Sequence, residues 1–243
     1  MNVFLAIILL LGFSFLVPVL YAIWIRNTER CHRQQWTSIF ICFFWGASIA
    51  VIASFILEYV LMISLSASLQ NAATVSVLMV IVFAPIIEEF AKPLIIGTKP
   101  VRSQLKELED GLIYGAVAGL GFSATENFFY GLDYLNQDLA TFLVLIALRS
   151  FGACLLHASA TALTGYGYGK TLLFRTSLLL VLPYYGLAVL MHSFYNFAVS
   201  LDVVGVAIGL VIAFLFVALT ITLVRGKIQT LDRQTCDLPP TTP

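Results

Sequence analysis

Long apolar runs recur along this chain, and the short polar links between them carry their basic residues on alternate sides. About seven stretches reach the roughly 20 residues needed to cross a bilayer: Val3–Ile25, Ser38–Ile63, Thr74–Ile96, Asp110–Tyr130, Leu139–Tyr166, Thr176–Val199 and Val203–Val224. Lys and Arg fall in the links after the first, third, fifth and seventh stretches: Arg26, Arg30 and Arg33, then Lys99, Arg102 and Lys106, then Lys170 and Arg175, then Arg225, Lys227 and Arg233. The other links hold none. Basic loops stay cytoplasmic, so the N-terminus is expected outside and the C-terminus inside, in a multi-pass protein of the cell's inner (cytoplasmic) membrane. Adding or removing one span would scramble the pattern.

The expected fold is therefore all-α, a polytopic helix bundle. One multispanning domain covers 1–224, with 225–243 as a disordered cytoplasmic tail. The first stretch is expected to be a retained helix, because its apolar core is too long for a signal peptide and no basic residue precedes it. A composition 60% hydrophobic and 11% charged argues against a water-soluble domain. Net charge is zero, which leaves nucleic-acid binding without an electrostatic footprint. Cys31, Cys42, Cys154 and Cys236 show no close pair spacing. Neither a disulfide framework nor a zinc knuckle is expected.

Charges inside the spans are costly, so each is a functional candidate. Ile87-Glu88-Glu89-Phe90-Ala91-Lys92 sits inside the third span. Glu88 and Lys92 share a helix face while Glu89 lies about 100° around, so Lys92 is expected to neutralise one glutamate and leave the other a separate task. Glu58, near the outer end of the second span, reads as an interface residue. In the fourth span Phe122 and Glu126 lie one turn apart, followed by Asn127, and Gly115, Gly119 and Gly121 allow close helix approach. His157 stands in the fifth span, eight residues beyond Arg149, a counter-charge that Glu126 could pair with. In the sixth, His192 and Asn196 are one turn apart, so the amide is expected to hold the imidazole's second nitrogen.

A buried carboxylate that takes a proton from water, with an imidazole to move protons or stabilise an oxyanion, suits hydrolysis of an unreactive bond. Ser123 and Ser159, with the glycines, leave room for that water. These groups are available to one cavity, but depth raises a difficulty: at ~1.5 Å per residue, Glu88 lies roughly 13 Å and Glu126 roughly 24 Å from the cytoplasmic ends of their spans, so not all need contact the same water.

The ordered set of EEFAK at 88–92, FSATE at 122–126 followed by Asn127, the isolated His157, and HSFYN at 192–196 resembles the PrsW family of intramembrane proteases, related to the CAAX-processing and bacteriocin-processing membrane proteases. The resemblance covers about 74–199. It implies an endopeptidase acting on a membrane-tethered protein or peptide near the bilayer surface, an anti-sigma factor among the candidates. It places Glu88 and Glu89 on the essential glutamate pair, Glu126 on the second acidic position, His192 on the histidine of the last motif and His157 on an additional histidine. Asn196 stands where the family often has Asp. No HExxH occurs, and a metal-free glutamate–histidine mechanism is favoured; the zinc alternative takes His157, His192 and Glu126 as ligands. Lys92, Phe122, Asn127, Arg149 and Asn196 are supporting residues. A proton- or cation-coupled transporter and a catalytically inactive scaffold are the competing functions.

Overall fold

The computed structural model describes residues 3–134, 138–200 and 206–236. Among them the chain is helical and without strands. Six helices are long and apolar enough to cross a membrane: α1 (Phe4–Arg26), α2 (Trp36–Ser68), α3 (Ala72–Gly97), α5 (Leu139–Leu173), α6 (Leu178–Val199) and α7 (Ala207–Cys236). The remaining long helix, α4 (Leu108–Asp133), is glycine-rich and almost wholly buried; α1, α2, α3, α5 and α7 gather around it, and α6 packs on α3, α5 and α7.

Sequence dictates that central position. Gly111, Gly115 and Gly119 follow one another on one face of α4, and α5 meets that face with His157, Thr161 and Gly165. A Cβ at Gly119 would lie 2.7 Å from the His157 carbonyl carbon and 3.0 Å from Thr161 Oγ1, closer than real side chains come. Backbones can approach that closely only when side chains are absent from the contact. On another face, Gly121 lies against the Phe43 carbonyl of α2, and Gly46 of α2 lies against Ala118.

Four helices contain one wide π turn, at Gly12–Leu16, Gly46–Ala50, Met79–Phe83 and Arg149–Ala153. Such a turn loosens carbonyls from the helical ladder, and hydrocarbon offers no water to replace the lost bonds. Neighbouring side chains supply partners instead. Ser150 Oγ donates to the Phe13 carbonyl at 3.1 Å, Thr125 Oγ1 to Ala47 at 2.6 Å, and Asn196 Nδ2 to Val80 at 2.8 Å. Trp45 Nε1 and the Tyr185 hydroxyl reach the Ala91 and Ile86 carbonyls at 3.2 and 2.8 Å, so α3 is braced on both sides of its glutamates.

At the end where the basic links lie, Gln34 forms the centre of a polar plug. Its Nε2 donates to Asp110 Oδ1 at 2.5 Å, its Oε1 accepts from Tyr114, and its backbone N–H donates to Glu29 at 3.0 Å. Asp110 also accepts the Lys106 and Glu107 backbone N–H groups, closing a capping box that starts α4.

Several expectations are corrected. Helix α7 continues to Cys236, so 225–236 are helical, not a disordered tail; the tail beyond and the expected link around Asp202 lie outside the described residues. Cys31 and Cys236 are disulfide-paired, with Cα atoms 5.5 Å apart. Spacing in sequence could not reveal a pair 205 residues apart. The depth difference between Glu88 and Glu126 also closes. From Lys92 to Gly97 the chain is 3₁₀ helix, rising about 2.0 Å per residue instead of 1.5. Pro93 forces this by removing an N–H from the α ladder, and a further helical turn, Lys99–Arg102, precedes α4.

Candidate active site

One buried cluster collects the intramembrane charges from α3, α4, α5 and α6. Lys92 is at its centre, fully buried, with Nζ donating to Glu88 Oε2 and Glu89 Oε1, both at 2.8 Å, and to His157 Nδ1 at 2.7 Å. The expectation that Lys92 would neutralise one glutamate only is therefore wrong. On a helix the i+3 neighbour is as reachable as the i+4 neighbour. The Phe122 ring lies 4.3 Å beneath the ammonium and packs against His157.

The hydrogen bonds assign the imidazole tautomers. An ammonium only donates, so His157 Nδ1 accepts, and Nε2 carries the proton that it gives to Glu126 Oε2 at 2.9 Å. His192 Nδ1 lies 3.0 Å from Glu89 Oε1, an acceptor, so the proton sits on Nδ1 and the Nε2 lone pair is left free. Thr161 Oγ1 donates to Glu89 Oε2 at 2.9 Å and fixes the carboxylate plane. The two rings meet edge to face with centroids 4.8 Å apart. Glu126 also pairs with Arg149 at 3.0 Å, and Arg149 Nε donates to Asn127 Oδ1 at 2.9 Å while the guanidinium covers Tyr130. Both readings of Glu126, as site member and as partner of Arg149, hold at once.

A cavity of about 390 Å³ opens onto the cluster. Glu88, Glu126, Arg149, His157, His192 and Asn196 line it, while Glu89 and Lys92 are sealed behind. Asn196 faces the cavity but does not hold His192, because its amide is taken by the Val80 carbonyl. The π turn at Met79–Phe83 outcompetes the imidazole for it.

Two residues were missed. Thr161 looks like an ordinary packing residue in sequence, and only the α4–α5 contact aims it at Glu89. Glu58, expected at the interface, lines the same cavity; the clue was its place inside an apolar run with no partner of opposite charge nearby.

Glu88, His157 and His192 offer one oxygen and two nitrogens within 4.8 Å of one another, a donor set that suits zinc. Glu88 stands in place of Glu126 in the expected trio, since it is the Glu88 oxygen that lies within 4.8 Å of a donor nitrogen of both histidines. In composition and spacing these residues fit a metal. Lys92, which donates to two of the three, would have to release them.

Apolar helices around a buried carboxylate–imidazole cluster that opens to a cavity define a polytopic membrane protein with the acid, base and ligand groups of a hydrolase. The chain belongs to the PrsW family: a family model described as PrsW family intramembrane metalloprotease matches residues 34–222. It is thereby a membrane peptidase by family. No curated protein and no solved structure matches it.

Proposed function

We propose that this protein is a seven-span endopeptidase of the cytoplasmic membrane, with its N-terminus outside, that hydrolyses a peptide bond of a membrane-tethered protein entering the 390 Å³ cavity. One observation carries the reading. On the cavity side of the cluster, His192 Nε2 and Glu88 Oε1 have no hydrogen-bond partner among the described residues, and both residues line the cavity. A buried polar atom left open costs free energy unless it has a ligand or water to meet.

Water in the cavity gives its proton to Glu88 or to His192 Nε2 as it attacks the scissile carbonyl. Glu89 holds His192 in the Nδ1–H tautomer and stabilises the imidazolium when the proton arrives there. Lys92 keeps both glutamates in place, and its charge, with that of Arg149, offsets the negative charge developing on the carbonyl oxygen. His157 and Glu126 form a second proton-carrying pair directly beside His192. The proton accepted from water is returned to the leaving amine, so the site regains its starting state.

The metal version is supported by the family description and by the Glu88, His157 and His192 donor set. A bound zinc would polarise the carbonyl and acidify water. The position of Lys92 among those donors favours the glutamate–histidine version. A transporter would need carboxylates able to exchange cations, whereas three of the four glutamates around the site are tied to Lys92 or Arg149.

The test is cleavage of a pool of single-span bacterial membrane proteins, anti-sigma factors included, by the purified protein in lipid vesicles. Wild type and Glu89→Ala are compared with and without a strong chelator. Cleavage lost in the variant and unaffected by chelation supports the metal-free version. Loss on chelation, restored by zinc, selects the metal version. Full cleavage by Glu89→Ala rejects the site.

A further inference from the structure

Glu58 is the one carboxylate in the cavity wall with no cation of its own. Lys92 serves Glu88 and Glu89, and Arg149 serves Glu126. No donor reaches Glu58 among the described residues, and its Oε1 is buried without a hydrogen bond. Glu58, Glu88 and Glu126 line the cavity against one guanidinium, Arg149, so the wall holds more carboxyl groups than cations. A buried carboxyl oxygen without a partner is expensive to maintain. It is tolerated where a ligand completes it.

The cavity limits what that ligand can be. A lone carboxylate is no cage for a hard metal cation, which takes six or more oxygens. Phe55, Met79 and Leu148, which share the wall with Glu58, are apolar and suit an aliphatic stem ending in a charge. The lining residues Val80, Tyr130, Leu145, Val199 and Leu210 lie in the helix halves next to the links without Lys or Arg, so the opening is on that side. A basic residue on that side of a single-span protein is uncommon, because Lys and Arg are retained on the other. A pocket that recognises one therefore discriminates sharply.

We propose that Glu58 is the specificity-determining residue of this cavity and seats a Lys or Arg side chain of the substrate next to the scissile bond. This inference rests on the peptidase reading of the site. It narrows the substrate class to membrane-tethered chains with a basic residue at the end of the span facing the links without basic residues.

The test uses the full-length protein in vesicles and synthetic single-span peptides that differ only in carrying Lys, Leu or Glu at that end. Each peptide bears a fluorophore for binding, and cleavage is followed separately. Wild type is expected to bind the Lys peptide roughly tenfold more tightly than the Leu peptide, with the Glu peptide weakest. Glu58→Gln should bind the Lys and Leu peptides alike, and Glu58→Lys should prefer the Glu peptide. Equal binding of all three by wild type, or an unchanged order in Glu58→Gln, overturns the inference. Thermal melting of both variants checks folding, and the nearly isosteric Glu58→Gln decides the matter alone if Glu58→Lys does not fold. Charge-selective binding without cleavage would count against the peptidase reading and leave Glu58 as the selector; cleavage without charge selection would do the reverse.

Discussion

Two polar clusters are buried in this bundle, and they are finished differently. Around Gln34, at the end with the basic links, every polar side-chain atom of Gln34 and Asp110 has a partner. Around Lys92, the charges are matched at the back, while His192 Nε2, Glu88 Oε1 and Glu58 Oε1 are left unbonded on or near a cavity. Gln34 and Asp110 hold helices together and have no side-chain atom left to offer a ligand, although the neighbouring Glu107 Oε2 is buried without a partner. An open network spends part of its stability to keep atoms available. Which buried polar residues act on a substrate is thus read from their unfilled valences, not from their charge.

The contrast breaks most visibly at Glu89. Glu89→Ala should lower cleavage by about a thousandfold or more, since it removes the partner that sets the His192 tautomer, while the protein stays folded; vesicle proteolysis beside a melting curve measures both. Thr161→Val keeps shape and loses one hydrogen bond to Glu89. It should reduce kcat by roughly tenfold, equivalent to about 1.4 kcal/mol, with KM little changed.

In the cluster around Gln34 the effects should fall on stability alone. Gln34→Ala strands Asp110 and Tyr114 and should cost about 1–3 kcal/mol in thermal or denaturant unfolding, with kcat preserved. The α4–α5 contact should be similarly sensitive: Gly119→Val forces the helices apart and should cost about 1–3 kcal/mol or more, whereas Gly186→Ala, with open space around it, should be neutral.

The last effect is a pH dependence of the cluster around Gln34. Burial, and then the charge of Asp110, push the Glu29 carboxyl up from its ordinary 4.5 to about 8, against the opposing pull of its hydrogen bonds from Gln34. The folded state therefore holds the proton more tightly than the unfolded state. The stability this contributes is complete below about pH 4.5 and disappears as pH rises through about 8. Melting temperature should decline over that window, and Glu29→Gln should flatten the decline. A wild-type curve that rises from pH 5 to 8 in step with that of Glu29→Gln would remove Glu29 as the cause.

Much of this was legible in sequence because hydrocarbon imposes simple demands. Apolar length marks the helices, and the motif residues Glu88, Glu89, Glu126, His157 and His192 stand out because charge and imidazole are rare inside spans. What escaped depended on rotation and rise. Glu58 needed the rotation of α2, and Thr161 needed the face of α5 that meets α4. The separation of Glu88 from Glu126 was overestimated in part because the 3₁₀ turn after Lys92 adds about 3 Å to a uniform count of 1.5 Å per residue, and the further turn at Lys99–Arg102 lies outside the span that was counted. The Cys31–Cys236 pair depended on where α7 ends, and that end was assigned to disorder.

The central helix has a consequence for how the protein is made. Alone among the long helices described, α4 is not apolar enough by composition to cross a membrane, since glycines and polar residues replace the large aliphatic side chains of its neighbours. Released singly from the insertion machinery, it would gain too little from lipid to stay. In the seven-span reading proposed above, its passage into the bilayer depends on its own chain, with α2 in place to receive Gly121 and α5 arriving to cover Gly111, Gly115 and Gly119. Biogenesis and the proposed catalysis then share one checkpoint, because the step that docks α4 among its neighbours is the step that brings Glu126 to His157.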